Sequence, residues 1–303
     1  MEKQLLPRAE LRPAYDKAVW LYVYRDFSGS EADRAAERIA LRFGLTSYPQ
    51  HHMIHPESLT RMADTGRSVA SFLGAVERTQ VSKGASREAA DRLRAAEARA
   101  IALESRPDPK AAMKALDDDD DVVRIRAVGI LAEKSPDAVA KRAPELLAVP
   151  NDPLRFAVCA VLGKVGGPEV APALIELVND PKESLNPNVL RISAVEALAR
   201  CGDETAVEAI APHAASGNYR NGLTGRAILT LVEIAKRKKK ARPAVVEALR
   251  NGYPTPVAEE RERRMCEALA RRVHEALAEV TGKRVPFPDV YDEAARSRLR
   301  ESW

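Results

Sequence analysis

His51, His52 and His55 lie together in the run His-His-Met-Ile-His, and imidazole is the commonest protein ligand for zinc. In an extended segment alternate side chains face opposite ways, so His51 and His55 share one face and His52 takes the other. Three ligands do not converge from that arrangement, and no cysteine stands nearby to complete a set, so solvent-facing strand residues are expected here and no metal. Asp117 to Asp121 form an unbroken acidic run. A calcium loop alternates its ligands about a central glycine; this run does neither, and a turn between paired helices is expected, with Asp121 as the N-cap. Cys159, Cys201 and Cys266 show no CxxC spacing. Cys159 and Cys266 are expected in the core, and Cys201, beside Gly202 at a helix end, is expected to be the most exposed. Lys236, Arg237, Lys238, Lys239, Lys240 and Arg242 make six basic residues in seven. That run either forms a solvated turn, its cations complementing the end of the preceding helix, or contacts phosphate, acidic protein or anionic lipid. It contains no aromatic side chain on which a base could stack. No Ser-His-Asp set, phosphate loop or specifically spaced carboxylate pair is found, so neither an enzyme nor a cofactor is expected.

Most of these residues belong to a recurring frame. Asp121, Asp152, Asn188 and Asn221 each sit where a helix would begin, at spacings of 31, 36 and 33 residues. Two residues on come Val123, Leu154, Leu190 and Leu223. Small or apolar pairs follow at six and seven on: Ala127-Val128, Val158-Cys159, Ala194-Val195 and Ala227-Ile228. Leu131, Leu162, Leu198 and Leu231 close each unit at ten on. These offsets trace one face of a 3.6-residue period, and the spacing suits helix-pair repeats. An arginine three after the expected cap recurs as Arg124, Arg155 and Arg191, and Thr224 breaks the series. A degenerate fifth unit is expected near Glu259, with Met265, Cys266 and Leu269 in place and Arg261 wrongly polar.

The pattern resembles HEAT repeats of the bacterial, phycobilisome-lyase-like sort over roughly residues 107–282. The resemblance implies an α-solenoid of about five repeats, with the arginines forming a ladder of charge-assisted hydrogen bonds near the caps. After Val280-Thr281-Gly282, a Pro-Phe-Pro turn at 286–288 leads to a short helix from Asp289 to about Arg300. This tail, ending at Trp303, is expected to close the last core.

The chain has 303 residues, 45% of them hydrophobic and only 5% aromatic, a balance that suits Ala/Leu helices stacked on one another. Its net charge of +4 is too small to mark a nucleic-acid binder from global electrostatics. No apolar run approaches the length of a membrane span, and no secretory signal opens the sequence, so a cytoplasmic protein is expected.

The first eighty residues read differently. Ala18 to Tyr24 is a strand pattern, followed by a helix from Glu31 to Phe43, a strand from Gln50 to His55, a short strand near Leu59–Ala63 and a helix from Ser68 to Thr79. The stretch from Ala40 to Pro49 and the ending from Gly66 resemble a thioredoxin-like fold, and Asp26 to Glu31 aligns with that family's active-site motif. Ser28 and Glu31 then replace both cysteines, and thiol–disulfide exchange cannot proceed without a thiolate. By the same resemblance Phe27, Ser28, Tyr48 and Pro49 would line a residual peptide groove, or Phe27 and Tyr48 would simply cover the sheet end.

Taken together, the expected fold is α+β overall and mostly α: a redox-inactive thioredoxin-like unit over 1–83, then a HEAT-like solenoid with a capping tail over 84–303. The expected function is a non-enzymatic scaffold for a protein partner, gripped on the concave surface of the second helices through Arg126, Lys164, Glu196, Arg200 and Glu233. Two alternatives are a lyase-like accessory acting on another protein and nucleic-acid binding through the basic run at 236–242.

Overall fold

The computed structural model describes residues 9–15, 23, 27–45, 52–55, 61–65, 68–79, 87–181, 184, 187–216 and 222–303. Two compact units divide the chain at Ile130/Leu131; the expected domain boundary at 83/84 lies outside the described residues.

The first unit opens with a one-turn helix α1 (Arg12–Tyr15), followed by α2 (Glu31–Arg42), strands β1 (His52–Ile54) and β2 (Arg61–Asp64), and helix α3 (Val69–Arg78). Ser30 caps α2 by accepting from Asp33 N, and Ser68 and Ser71 form a reciprocal capping box on α3. The strands pair antiparallel, with His52 opposite Asp64 and Met53 opposite Ala63. The expected order of helix, two strands and helix is therefore present, while the strand expected over 18–24 lies outside the described residues except Val23. Leu11, Ala14, Phe72 and Val76 form a small core, against which Met53 and Leu73 pack. Then come α4 (Arg87–Ser105), α5 (Pro109–Ala115) and α6 (Asp121–Lys134). A second core joins Ala100, Leu103, Val122 and Val123, and Leu41 of α2 packs against it.

The second unit is helical. Its elements are α7 (Pro136–Ala148), α8 (Asp152–Val165), α9 (Ala171–Asn179), α10 (Pro187–Cys201), α11 (Glu204–Ala215), α12 (Gly222–Arg237), α13 (Arg242–Asn251), α14 (Glu260–Thr281) and α15 (Glu293–Ser302). Helices pack pairwise, α7 on α8 through α13 on α14. The second members also stack α8–α10–α12–α14, and the first members α7–α9–α11–α13, giving two layers. Every apolar side chain expected in the four repeats is buried, from Val123 and Leu154 to Leu198 and Leu231. The fifth unit starts where expected, with Cys266 and Leu269 buried and Met265 largely exposed.

The caps sit one residue earlier than the sequence pattern suggested. Asp120, not Asp121, accepts from Val122 N and Val123 N, and Asn151, not Asp152, accepts from Leu154 N. Asp121 and Asp152 become the first helical residues, where a carboxylate still favours the helix N-terminus. Asn188 is likewise inside α10, and Asn221 lies outside the described residues. Adjacent Asp/Asn pairs are equivalent to a pattern of types, and only the backbone chooses between them.

Two glycines end helices for steric reasons. Gly282 closes α14 with φ at +72°, a left-handed conformation costly for any other residue. A Cβ on Gly202 would come within 2.7 Å of Leu198 O and 2.8 Å of Ala206 Cβ, so only glycine permits the tight step from α10 to α11. Beyond α14 the tail places Tyr291 and Trp303 in the core beside Tyr253. Trp303 Nε1 donates to Tyr253 Oη at 2.9 Å, and Tyr253 Oη lies 2.9 Å from His274 Nδ1. His274 Nε2 meets Val285 O at 2.7 Å; a carbonyl only accepts, so the proton is on Nε2 and Nδ1 accepts from the tyrosine. The tail thus packs onto the last helix pair. Among the described residues no helix is long and apolar enough to cross a membrane.

Candidate functional site

The loop before α2 carries two of the expected groove residues. Phe27 takes a left-handed backbone conformation, φ +58°, and its ring is 72% exposed. The strained turn is held from below by Asp33, whose buried carboxylate accepts from Phe27 N and Gly29 N, both at 3.2 Å. Ser28 Oγ donates to Ser30 Oγ at 3.0 Å. Tyr48 and Pro49 lie outside the described residues, and His51 does too. Asp118 to Asp121 are paired within the first unit: Arg99 pairs with Asp118 and Asp119, Arg42 with Asp120 and Arg124 with Asp121.

Arg126 corrects one expectation. Expected at the partner surface, it is engaged within the first unit, where its guanidinium pairs with Glu37 of α2 and with Glu104 of α4. It belongs to a seam centred on Arg38, which is 1% exposed and meets Glu31, Glu97 and Glu104. A guanidinium so deeply buried is tolerable only with its charge matched, and three carboxylates do that.

The other four expected contact residues are exposed. Lys164 projects from α8, Glu196 and Arg200 from α10, and Glu233 from α12. Ion pairs cross between neighbours of this layer: Glu196 to Arg226 at 2.7 Å, and Glu233 to Lys236, which reaches Glu279 of α14 at 2.7 Å. Among these charges stand two apolar side chains that sequence reasoning passed over, Val189 at 48% and Leu229 at 49% exposure. Both were readable, since each occupies an outward position of the helical period.

The basic run is less available than its composition suggests. Arg237 donates to Arg200 O and Gly202 O, closing the end of α10, and Arg242 Nε donates to Ala235 O at 3.1 Å, closing α12. Both complement a helix C-terminus. Lys236 is held protonated by Glu233 and Glu279. Lys238, Lys239 and Lys240 stand exposed, with no such bonds to the described residues.

The arginine ladder exists with different partners. Arg155 Nε donates to Leu147 O at 3.0 Å and Arg191 Nε to Val178 O at 2.9 Å, each capping the preceding helix, while Arg124 meets an acid, Asp121. All three cysteines are buried, Cys201 included, whose thiol donates to Ala197 O. Burial pushes the thiols of Cys159 and Cys201 up to about 12 and about 11, far from thiolate chemistry. A cavity of about 280 Å³ lies among α7, α8 and α9, lined by Pro144, Leu147, Arg155, Glu176, Leu177 and Asp180.

Comparison with known families places HEAT repeats in this chain. The description "HEAT repeats" matches residues 109–186, and "PBS lyase HEAT-like repeat" matches residues 190–215. The matched segments run from the start of α5 to the end of α11. No curated protein matches the chain. HEAT repeats generally mediate protein–protein interaction.

Proposed function

We propose that this protein is a non-enzymatic scaffold that binds a protein partner on the exposed face of α8, α10, α12 and α14. The observation that carries the reading is the pair Val189 and Leu229, about half exposed among cross-helix ion pairs on one rigid layer. Apolar side chains left in water on a charged surface gain most by being covered. Lys164, Arg200 and Glu233 form the polar surround that chooses among partners.

The N-terminal part, 1–83, is in this reading a redox-inactive thioredoxin-like unit. The order α2–β1–β2–α3 and the presence of Ser28 and Glu31 where cysteines would stand support it. Nucleic-acid binding through 236–242 is the weaker reading, because Lys236, Arg237 and Arg242 already bond within the chain. A lyase-like role needs an apolar ligand pocket, whereas the cavity between α7 and α9 carries Arg155, Glu176 and Asp180.

A photo-crosslinking side chain at position 229 of the full chain tests the scaffold reading, with the same group at Glu208, exposed on α11, as the control. Crosslinks to one protein from 229 and none from 208, surviving nuclease treatment, are expected. Equal labelling at both positions, or loss on nuclease treatment, overturns the reading.

A further inference from the structure

The ion pair between Arg126 Nε and Glu104 Oε1, at 2.7 Å, has a twin in the second unit: Arg226 Nε to Glu196 Oε1, also 2.7 Å. The likeness goes beyond the distance. Arg126 and Arg226 each stand five residues after the repeated Asp121 and Asn221. Each reaches a glutamate on another helix, α4 in one case and α10 in the other.

In the first unit the outward atoms of this pair are already taken. Glu37 of α2 accepts from Arg126 Nη2, and the next residue, Arg38, donates from Nη1 to Glu104 Oε2 at 3.2 Å. One turn on, Leu41 packs against the core that contains Val122 and Val123, and Arg42 Nε reaches Asp120 at the start of α6 at 3.0 Å. With Glu37 at Arg126 and Arg42 at Asp120, α2 runs antiparallel to α6. It plugs the Arg–Glu pair with a Glu-Arg-x-x-Leu sequence, so four charges alternate in sign and an apolar knob sits beside them.

In the second unit the same arrangement is open. Arg226 and Glu196 are 46% and 44% exposed, and among the described residues neither has a further partner. Gly222 takes the register position of Val122, and beside it Val189 is exposed and Ile192 half-buried. A Cβ added at Gly222 would touch Ile192 Cδ1 at 3.6 Å, so the apolar floor is continuous there.

We infer that the Arg226–Glu196 pair is an open copy of the socket that α2 fills, and that it receives an amphipathic helix of a partner protein bearing Glu-Arg-x-x-Leu. This rests on the proposed scaffold function and gives the partner its chemistry. The glutamate meets Arg226, the arginine meets Glu196, and the leucine covers Val189 and Ile192.

The probe is a fluorescent, hydrocarbon-stapled peptide of residues 30–43, titrated by anisotropy against the full chain. Saturable binding is expected, weakened roughly tenfold or more by Arg226→Glu, since close charge pairs at an interface couple strongly. A peptide carrying Glu37→Arg and Arg38→Glu should lose affinity for the wild-type chain and regain it for the Arg226→Glu/Glu196→Arg chain. Circular dichroism melts confirm that these exposed substitutions leave the fold intact. No binding, or binding indifferent to Arg226→Glu as displacement of α2 from α6 would be, overturns the inference. So does a concentration-dependent dimer abolished by Arg226→Glu, which assigns the socket to a second copy. If position 229 crosslinks a partner while the peptide fails to bind, the scaffold reading stands and the helix chemistry falls.

Discussion

Arg126 and Arg226 hold the same place in their repeats and meet opposite surroundings. The first is enclosed by α2, its charge shared between Glu37 and Glu104. The second, nearly half exposed, meets one glutamate among the described residues. The contrast separates two uses of a single surface position: one fastens α2 to α4 and α6, and the other, in the proposed reading, stays open for recognition. It also explains why the α2 sequence alternates acid and base so densely. Each charge on its inner side has a counterpart, and Leu41 supplies the apolar contact that fixes the register.

The largest effect should come from breaking the covered side. Arg38→Ala removes the cation that meets Glu31, Glu97 and Glu104 together. Loss of one member of a buried ion cluster costs about 3–5 kcal/mol. Urea denaturation followed by far-ultraviolet circular dichroism should show an early transition absent from the wild type. A single transition at the wild-type midpoint would mean that the seam contributes specificity but little stability.

These two sides were not equally legible in the sequence. Leu154, Leu190 and Leu223 were found because a 3.6-residue period maps directly onto burial. The Glu37–Arg126 pair joins residues 89 apart, and no local pattern marks which acid will meet which base. The arginine row at 124, 155 and 191 was visible, but two of its partners are backbone carbonyls, and these have no sequence signature at all. Cys201 was misjudged for a related reason: a residue at a helix end is exposed only if the next helix leaves it so, and here it is 2% exposed. Val189 and Leu229 occupy outward positions of the same period, so their exposure is legible in the sequence.

A middle-sized effect tests whether the arginines inside the solenoid resemble Arg38 or Arg226. Arg155 is buried and bonds to Leu147 O, so Arg155→Ala loses a charged hydrogen bond and leaves the end of α7 uncapped. About 2 kcal/mol is expected from that loss. Thermal unfolding of the full chain should register it as a clear drop in midpoint. An unchanged melt would place Arg155 with the surface charges.

A smaller and pH-dependent effect is expected at Asp203, the N-cap of α11. Its carboxyl is held below the usual range, first by the Thr205 hydroxyl and then by backbone N–H groups. The folded pKa lies below the unfolded value near 3.9, so the cap's charged contribution is present above about pH 4 and is lost as pH falls through the folded pKa. Asp203→Ala should therefore cost about 1 kcal/mol at pH 7. The gap from wild type should narrow in melts taken below pH 4, and a gap constant down to pH 2 would refute the assignment.

The smallest effect on stability, and the one that completes the comparison, belongs to Arg226→Ala. Exposed ion pairs contribute about 0–1 kcal/mol, and Arg226 and Glu196 are each nearly half exposed, so the melting midpoint should move by no more than a degree or two. Arg126→Ala, by contrast, removes the cation that bridges Glu37 and Glu104 and should lower stability measurably. Side-by-side melts of the two variants read the difference without knowledge of any partner. Equal losses would mean that Arg226 is a structural strut like its counterpart, and the open face would then have to be sought around Val189 alone. A silent Arg226→Ala beside a damaging Arg126→Ala would show that the repeat has kept its geometry while releasing one copy of the socket from its structural duty.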